Sequence, residues 1–246
     1  MPIPTTKSTP TGDLSKLLTL LYGAPKSGKS TLAAQFPEAC FLATEKGLES
    51  LSVSRWEADG GRYVITSWEE FLAATAEVIA SARFKTLVID TIGNVCALCE
   101  QHICAKHGEE YKSDGKLGYG KGAALIVNEL KRYFTKLSSV GVGVVLIAHS
   151  TTKTISTRTG EVQKTVPFIP GDNKKDEIYN VLMGMSDLVL YCEQQPGDGK
   201  RALRTKPHPT YDAGDRTGRL PDPVECSYAA LRQAFAVTNA APTKAA

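Results

Sequence analysis

From Gly23 to Ser30 the chain reads Gly-Ala-Pro-Lys-Ser-Gly-Lys-Ser, a glycine, four residues and then Gly-Lys-Ser. Two glycines let a backbone turn sharply and approach a ligand with no Cβ in the way, and free N–H groups at the start of a helix attract negative charge. An ammonium and a hydroxyl in adjacent positions then supply a phosphate contact and a metal ligand. The chemistry implied is the cradling of a nucleoside triphosphate. Gly23, Ala24, Pro25, Lys26, Ser27, Gly28, Lys29, Ser30 and Thr31 are therefore the candidate nucleotide-binding residues, with Lys29 on the β- and γ-phosphates of ATP and Ser30 on Mg²⁺. Asp90 ends the apolar run Thr86-Leu87-Val88-Ile89, the place of an aspartate that orients Mg²⁺ through Ser30 or through water. Capping of the next helix is the plainer account of Asp90 taken alone. Glu45 and His149 end two further apolar runs, Cys40–Thr44 and Val142–Ala148, at the strand ends where open α/β sheets place their ligands.

The elements that must hold these residues follow from the same pattern. An apolar run over Leu14–Tyr22 predicts the strand before the glycine loop, and Lys29–Phe36 a short helix after it, closed by Pro37. Strands are expected over 40–44, over Arg62–Thr66 and over 86–90. Between the last two, Ser67 with Glu70 three residues on opens a helix that runs to about Ala82. A helix from about Gly93 to His107 and another over Ala123–Ser138 enclose residues 108–122. That segment's five glycines, Tyr111, Tyr119, Lys112, Lys116 and Lys121 predict a mobile loop able to grip phosphates and stack bases, or else a solvated lid. Residues 150–170 read as a hairpin whose arms, 153–157 and 162–166, carry Lys153 and Lys164, with Arg158 at the turn. A helix over 172–185, a strand over 187–192 and a return strand at 201–205 follow. Residues 1–12 read as a flexible arm, 13–226 as one domain, and 227–246 as a frayed alanine-rich tail.

Composition sets the bounds. The chain has 246 residues, 42% hydrophobic and 22% charged, and a formal charge of +3, so a role with nucleic acid must rest on where the cations sit. No stretch approaches the roughly 18 apolar residues that span a bilayer, and Met1–Lys7 lacks an apolar signal core; a cytoplasmic protein without a membrane partner is expected. The six cysteines then read as free thiols. Cys96, Cys99, His102, Cys104 and His107 have metal-ligand character, but on one helix Cys96 and His107 stand roughly 16 Å apart, so a zinc site would need a further element.

A strand ending in glutamate, an apolar strand ending in aspartate, a glycine-rich loop, a helix, a strand ending in a polar residue and an extended polar loop come in an order that resembles the RecA-like P-loop ATPases. Thr86–Thr91 looks like the second nucleotide motif of that family, and Ala148–Lys153 is similar to the sensor segment of its RadA/Sms branch. The small size and the run Arg201-Ala202-Leu203-Arg204-Thr205-Lys206 resemble phage-encoded members that act in recombination and single-strand annealing. The resemblance implies an α/β fold with a mostly parallel central sheet flanked by helices and an antiparallel C-terminal extension. It also implies ATPase activity with ATP and Mg²⁺, single-stranded DNA as partner, and a homo-oligomer in the cytoplasm of a bacterial host. Glu45 would be the base that polarises water and His149 the sensor of the γ-phosphate. Lys112, Lys116 and Lys121 on one loop, with Lys153, Arg158 and Lys164 on the other, would face DNA. The plainer readings are a surface carboxylate, a core-edge histidine and two lids. Where the RadA/Sms branch carries Lys-Asn-Arg-Phe-Gly, this chain has Gly214-Asp215-Arg216-Thr217-Gly218. The lysine that reaches a neighbour's site is missing, so Arg216 is the expected substitute, unless it pairs with Asp212 or Asp215. Two rival activities share the nucleotide motif: a small-molecule kinase with Arg201–Arg219 as its lid, and a nucleotide-dependent switch or loader with little hydrolysis.

Overall fold

The computed structural model describes residues 11–158, 160–170, 177–194 and 199–237. After a single 3₁₀ turn at Leu14–Lys16, where Asp13 Oδ1 accepts from Ser15 N, strand β1 runs over Leu18–Gly23 and is buried throughout. Helix α1 (Lys29–Ala33), β2 (Ala39–Ala43), the short β3 (Ser54–Arg55), α2 (Trp68–Ala80), β4 (Thr86–Asp90), α3 (Ile92–His107) and α4 (Lys121–Leu137) follow. Strand β5 (Gly143–Thr157) turns into β6 (Gly160–Pro167), and then come α5 (Glu177–Met185), β7 (Leu188–Gln194), β8 (Arg201–Arg204), β9 (Gly214–Asp215), β10 (Val224–Glu225) and α6 (Tyr228–Val237).

The sheet order is β10-β8-β7-β1-β5-β4-β2-β3, parallel from β7 to β3 and antiparallel through β8 and β10. This is the mostly parallel RecA-like arrangement with an antiparallel C-terminal extension. Strands buried on both faces must be apolar at nearly every position, as β1, β4 and the first half of β5 are. One face packs on α2, α3, α4 and α5 through residues such as Leu20, Trp68, Phe71, Val95, Phe134 and Leu182. The other packs on α1 and α6 through Leu21, Leu32, Phe41, Leu190, Leu231 and Phe235.

Three local expectations change, while the cysteines are free thiols as read. Residues 62–66 do not form a full strand: the free edge of β2 is shared, with Cys40 and Phe41 paired to β3 and only Ala43 bridged to Val64. Residues 108–122 are pinned rather than open, since Leu117 is fully buried, Glu109 Oε1 accepts from Lys116 N at 2.8 Å, and the Lys112 ammonium meets Glu100 at 3.0 Å. The metal-type cysteines are core residues: Cys96, Cys99 and Cys104 are buried while His102 turns out to Glu69, and no group of three metal-ligating side chains occurs among the described residues. The segment 227–246 is not frayed at its start, because α6 docks with Leu231 and Phe235 buried, a burial worth about 1.5–3 kcal/mol per side chain. Residues 238–246 and most of the N-terminal arm lie outside the described residues. No helix among the described residues is long and apolar enough to cross a membrane.

Candidate nucleotide site

Parallel pairing fixes where the strand tips meet. Gly23 at the end of β1 lies opposite His149 of β5 on one side and Cys192 of β7 on the other, while Ala43 and Ile147 flank Asp90. The phosphate loop leaves the central strand at this point. A Cβ on Gly23 would stand 2.5 Å from the Cys192 carbonyl oxygen, so the position tolerates only glycine. Gly28, the residue before α1, has φ +94°, a left-handed conformation natural to glycine.

Lys29 begins α1 and is almost fully buried. Its Nζ donates to the carbonyls of Gly23 at 3.1 Å and Ala24 at 2.8 Å, and burial lowers its pKa against the pull of the nearby Cys192, Asp90 and Glu45. Ser30 Oγ donates to Asp90 Oδ2 at 2.7 Å. Asp90 is itself buried, and that burial raises its pKa although the Ser30 hydrogen bond opposes the shift. A carboxylate desolvated in this way, with a hydroxyl already in contact, is a donor set short of positive charge. It suits a hard divalent cation such as Mg²⁺, for which Ser30 and Asp90 are the ligand candidates. Ser27 fits a phosphate in a similar way, since its Oγ is buried and has no hydrogen-bond partner among the described residues.

Glu45 and His149 meet each other. His149 Nε2 lies 3.2 Å from Glu45 Oε1, and Asn94 Nδ2 donates to Glu45 Oε2 at 3.1 Å, so the carboxylate is held at both oxygens. Both side chains are half-exposed, whereas His149 Nδ1 is buried without a partner among the described residues. Thr44 Oγ1 accepts from Thr91 N at 3.0 Å and ties the tip of β2 to that of β4. The sequence carried no signal for Asn94, which sits in the first turn of α3 and reaches Glu45 only through the fold. Arg201 was equally hidden within a basic run. Its guanidinium lies against Gly28, with Nη1 2.7 Å from where a Cβ would be, and Nη2 donates to the Lys26 carbonyl at 3.4 Å.

Arg216 departs from its expected placement. It pairs with neither Asp212 nor Asp215: Nη1 binds Asp187 Oδ1 at 2.9 Å, Nη2 donates to the Gly184 carbonyl, and its own N–H donates to Asp187 O. The nearer carboxylates are engaged elsewhere, Asp212 with Lys164 at 2.6 Å and Asp215 with the backbone of Thr217 and Leu220. The remaining cations form a second group remote in character from the phosphate loop. Lys153 stands 4.4 Å over the Tyr179 ring, Lys164 is paired with Asp212, and Lys112 with Glu100. Lys116, Lys121 and Arg158 are exposed, as are Tyr111 at 59% and Tyr119 fully.

A glycine loop between the central strand and a helix, a Ser–Asp pair beneath it and a Glu–His contact at the adjoining strand tips are the parts of a RecA-like P-loop fold, an arrangement suited to a nucleoside triphosphate. The chain belongs to the AAA domain family, whose model matches residues 15–217. No curated protein matches it. Among solved structures it is similar to a KaiC-like protein from the hyperthermophilic archaeon Pyrococcus horikoshii OT3. The identity is 16% and the TM-score 0.44, over 77% of this chain and 79% of that one.

Proposed function

We propose that the chain hydrolyses Mg²⁺-ATP and binds single-stranded DNA in a nucleotide-dependent way, as a homo-oligomer acting in recombination or strand annealing within a bacterial cytoplasm. The observation that carries this reading is the continuity of β5. The strand runs unbroken from Gly143 to Thr157, with His149 touching Glu45 beside the phosphate loop and Lys153 four residues further, about 13 Å along the same strand. A shift of His149 on nucleotide binding is therefore transmitted along one rigid element to the hairpin of Lys153, Arg158 and Lys164. Lys29 and the backbone of residues 23–31 hold the phosphates, and Ser30 and Asp90 hold the cation. When bound, Mg²⁺ supplies neutralisation of the β- and γ-phosphate charge. Glu45, fixed by His149 and Asn94, accepts the proton of the attacking water.

The decisive test is a gel shift with single- and double-stranded DNA at a series of salt concentrations, with and without a non-hydrolysable ATP analogue. Nucleotide-dependent, salt-sensitive retention of the single strand supports the reading; retention indifferent to nucleotide ends it. A second reading, a switch or loader with little hydrolysis, is favoured by Arg216, whose guanidinium is held by Asp187 and Gly184 of its own chain. Single-turnover ATP hydrolysis on DNA separates the two.

A further inference from the structure

Cys40, Cys96, Cys99 and Cys104 are buried in the core, whereas the sulfurs of Cys192 and Cys226 lie 3.5 Å apart beside the phosphate loop. Both are attached to the phosphate loop. Cys192 lies opposite Gly23 in the sheet, and its Sγ–H donates to the Ser27 carbonyl at 2.9 Å. Cys226 follows β10, and its N–H donates at 3.3 Å to the carbonyl of Arg201, the residue whose guanidinium rests on Gly28 and the Lys26 carbonyl. We propose that Cys192 and Cys226 are a modification site, an oxidisable thiol pair whose closure to a disulfide by a hydroperoxide distorts the phosphate loop and weakens nucleotide binding. The second half of this proposal rests on the nucleotide reading of the loop; the first half does not.

The surroundings suit the chemistry. Cys192 is 1% exposed, while Cys226 is half-buried and gives the pair its side toward solvent. A hydrogen bond from the Cys226 thiol, helped by the charges of Lys29 and Arg201 and opposed by burial, brings the pKa of the Cys192 thiol down to about 7. The same contact pushes the Cys226 thiol up. One thiolate beside one thiol is the arrangement for stepwise oxidation. The Cys192 thiolate attacks one oxygen of hydrogen peroxide, the O–O bond breaks, and the departing hydroxide takes a proton to leave as water. The Cys226 sulfur then attacks the resulting Cys192 sulfenic acid. The S–S bond forms, the S–O bond breaks, and the hydroxide lost carries off the Cys226 proton as a second water. The two sulfurs have lost two electrons and peroxide has gained them.

Closure draws Cys192 Sγ toward Cys226 and removes the S–H that satisfies the Ser27 carbonyl. Ser27 already has a buried hydroxyl without a partner among the described residues, so closure takes a contact from a residue with one polar atom already unsatisfied. The strand carrying Arg201 is pulled with Cys226.

The experiment treats the reduced full-length chain with hydrogen peroxide and reads two quantities. Peptide mapping under non-reducing conditions detects a Cys192–Cys226 cross-link, and titration with a fluorescent ATP analogue gives the affinity before oxidation, after it, and after dithiothreitol. The expected result is the cross-link together with an affinity on the order of tenfold weaker that dithiothreitol restores, with Cys226→Ser and Cys226→Ala insensitive to peroxide. Intact thiols at both positions after treatment overturn the site. A cross-link with unchanged affinity overturns its coupling to the loop. If the reduced chain fails to bind the analogue at all, the nucleotide reading falls and the coupling with it, while the mapping still decides the thiol pair.

Discussion

The nucleotide end of the sheet and the cationic surface of the hairpin and the 108–122 loop are built on opposite principles. At the nucleotide end the charged side chains below the loop are fixed by the protein itself: Lys29 by two loop carbonyls, Asp90 by Ser30, Glu45 by Asn94 and His149. Asp90 and Glu45 sit at or just past the tips of parallel strands and Lys29 at the start of α1, where register and helix start leave little freedom, and a ligand finds them already oriented. On the cationic surface half of the candidate residues spend their charge inside the chain, Lys112 on Glu100, Lys164 on Asp212 and Lys153 on the Tyr179 ring. Lys116, Lys121 and Arg158 are exposed on turns and at a helix start. A site formed by strand tips is complete before its ligand arrives, whereas a surface of this kind acquires its geometry from the partner. Mutation should therefore act sharply and singly at the first and weakly and additively at the second.

The largest effect is expected for Lys29→Ala. It removes a buried ammonium whose charge-assisted contacts to phosphate are worth about 1.5–3 kcal/mol each, so ATP affinity should fall by two orders of magnitude or more in a calorimetric titration. Unchanged affinity would remove the contrast altogether, since the phosphate loop would then be an ordinary turn. Next in size, Glu45→Gln should bind Mg²⁺-ATP as the parent does and turn it over on the order of a hundredfold more slowly, the scale of a lost general base. Asn94→Ala should lower turnover in the same direction by less, because it frees one oxygen of the same carboxylate. A steady-state assay with saturating DNA reads both, and parental rates in Glu45→Gln would place the base elsewhere.

Asp90 gives the contrast a pH signature. Burial raises its folded-state pKa above the ordinary value, so the folded chain without ligand holds the proton more tightly than the unfolded chain. The stability contributed by the protonated form is complete below the unfolded pKa and is lost as pH rises through the folded one. Asp90→Asn should accordingly match the parent in melting temperature at acid pH and exceed it near neutrality, while losing the stabilisation that Mg²⁺-ATP gives the parent. A variant less stable than the parent at neutral pH would show that the carboxylate is satisfied without a metal.

Smaller effects belong to the cationic surface. Three phosphate contacts predict a log–log salt slope of about −2 per protomer, at about 0.7 per contact for single strands. Replacing Lys116, Lys121 and Arg158 together by Ala should flatten the slope by most of that amount, and replacing Lys112 and Lys164 by much less, because their ion pairs already neutralise them. Equal effects from the two sets would mean that the internal pairs open on DNA. Smallest of all is Arg216→Ala, an exposed pair with Asp187 worth about 0–1 kcal/mol of stability. Its turnover on DNA should match the parent's if the guanidinium stays on Asp187; turnover lost in Arg216→Ala alone and recovered on mixing with Lys29→Ala would show that it works in a neighbouring subunit.

What the sequence determined by itself is what depends on neighbours along the chain. The run Leu14–Tyr22 followed by the glycine loop and Lys29 made a buried strand, a tight loop and a helix start legible together, although its first residues, Leu14–Lys16, form a 3₁₀ turn and the strand begins at Leu18. Thr86–Asp90 made a second buried strand with an aspartate at its tip legible. Burial on both faces forces such strands to be apolar, and positive φ or close approach forces the glycines, so these constraints are written locally. The hairpin was legible for the same reason. Tertiary structure decided what depends on partners far along the chain. Whether 62–66 could pair was set by β3 already occupying part of the β2 edge. Whether residues after 227 would dock was set by a distant sheet face awaiting Leu231 and Phe235. Arg216 lay equally close in sequence to two other carboxylates, yet the packing of β9 on β7 put Asp187 in reach. Asn94 reached Glu45 across 49 residues, His149 reached it across 104, and Cys192 touched Ser27 across 165. A side chain's type and local spacing fix what chemistry it can do, but the partner that orients it is chosen by the sheet register, which the whole chain determines.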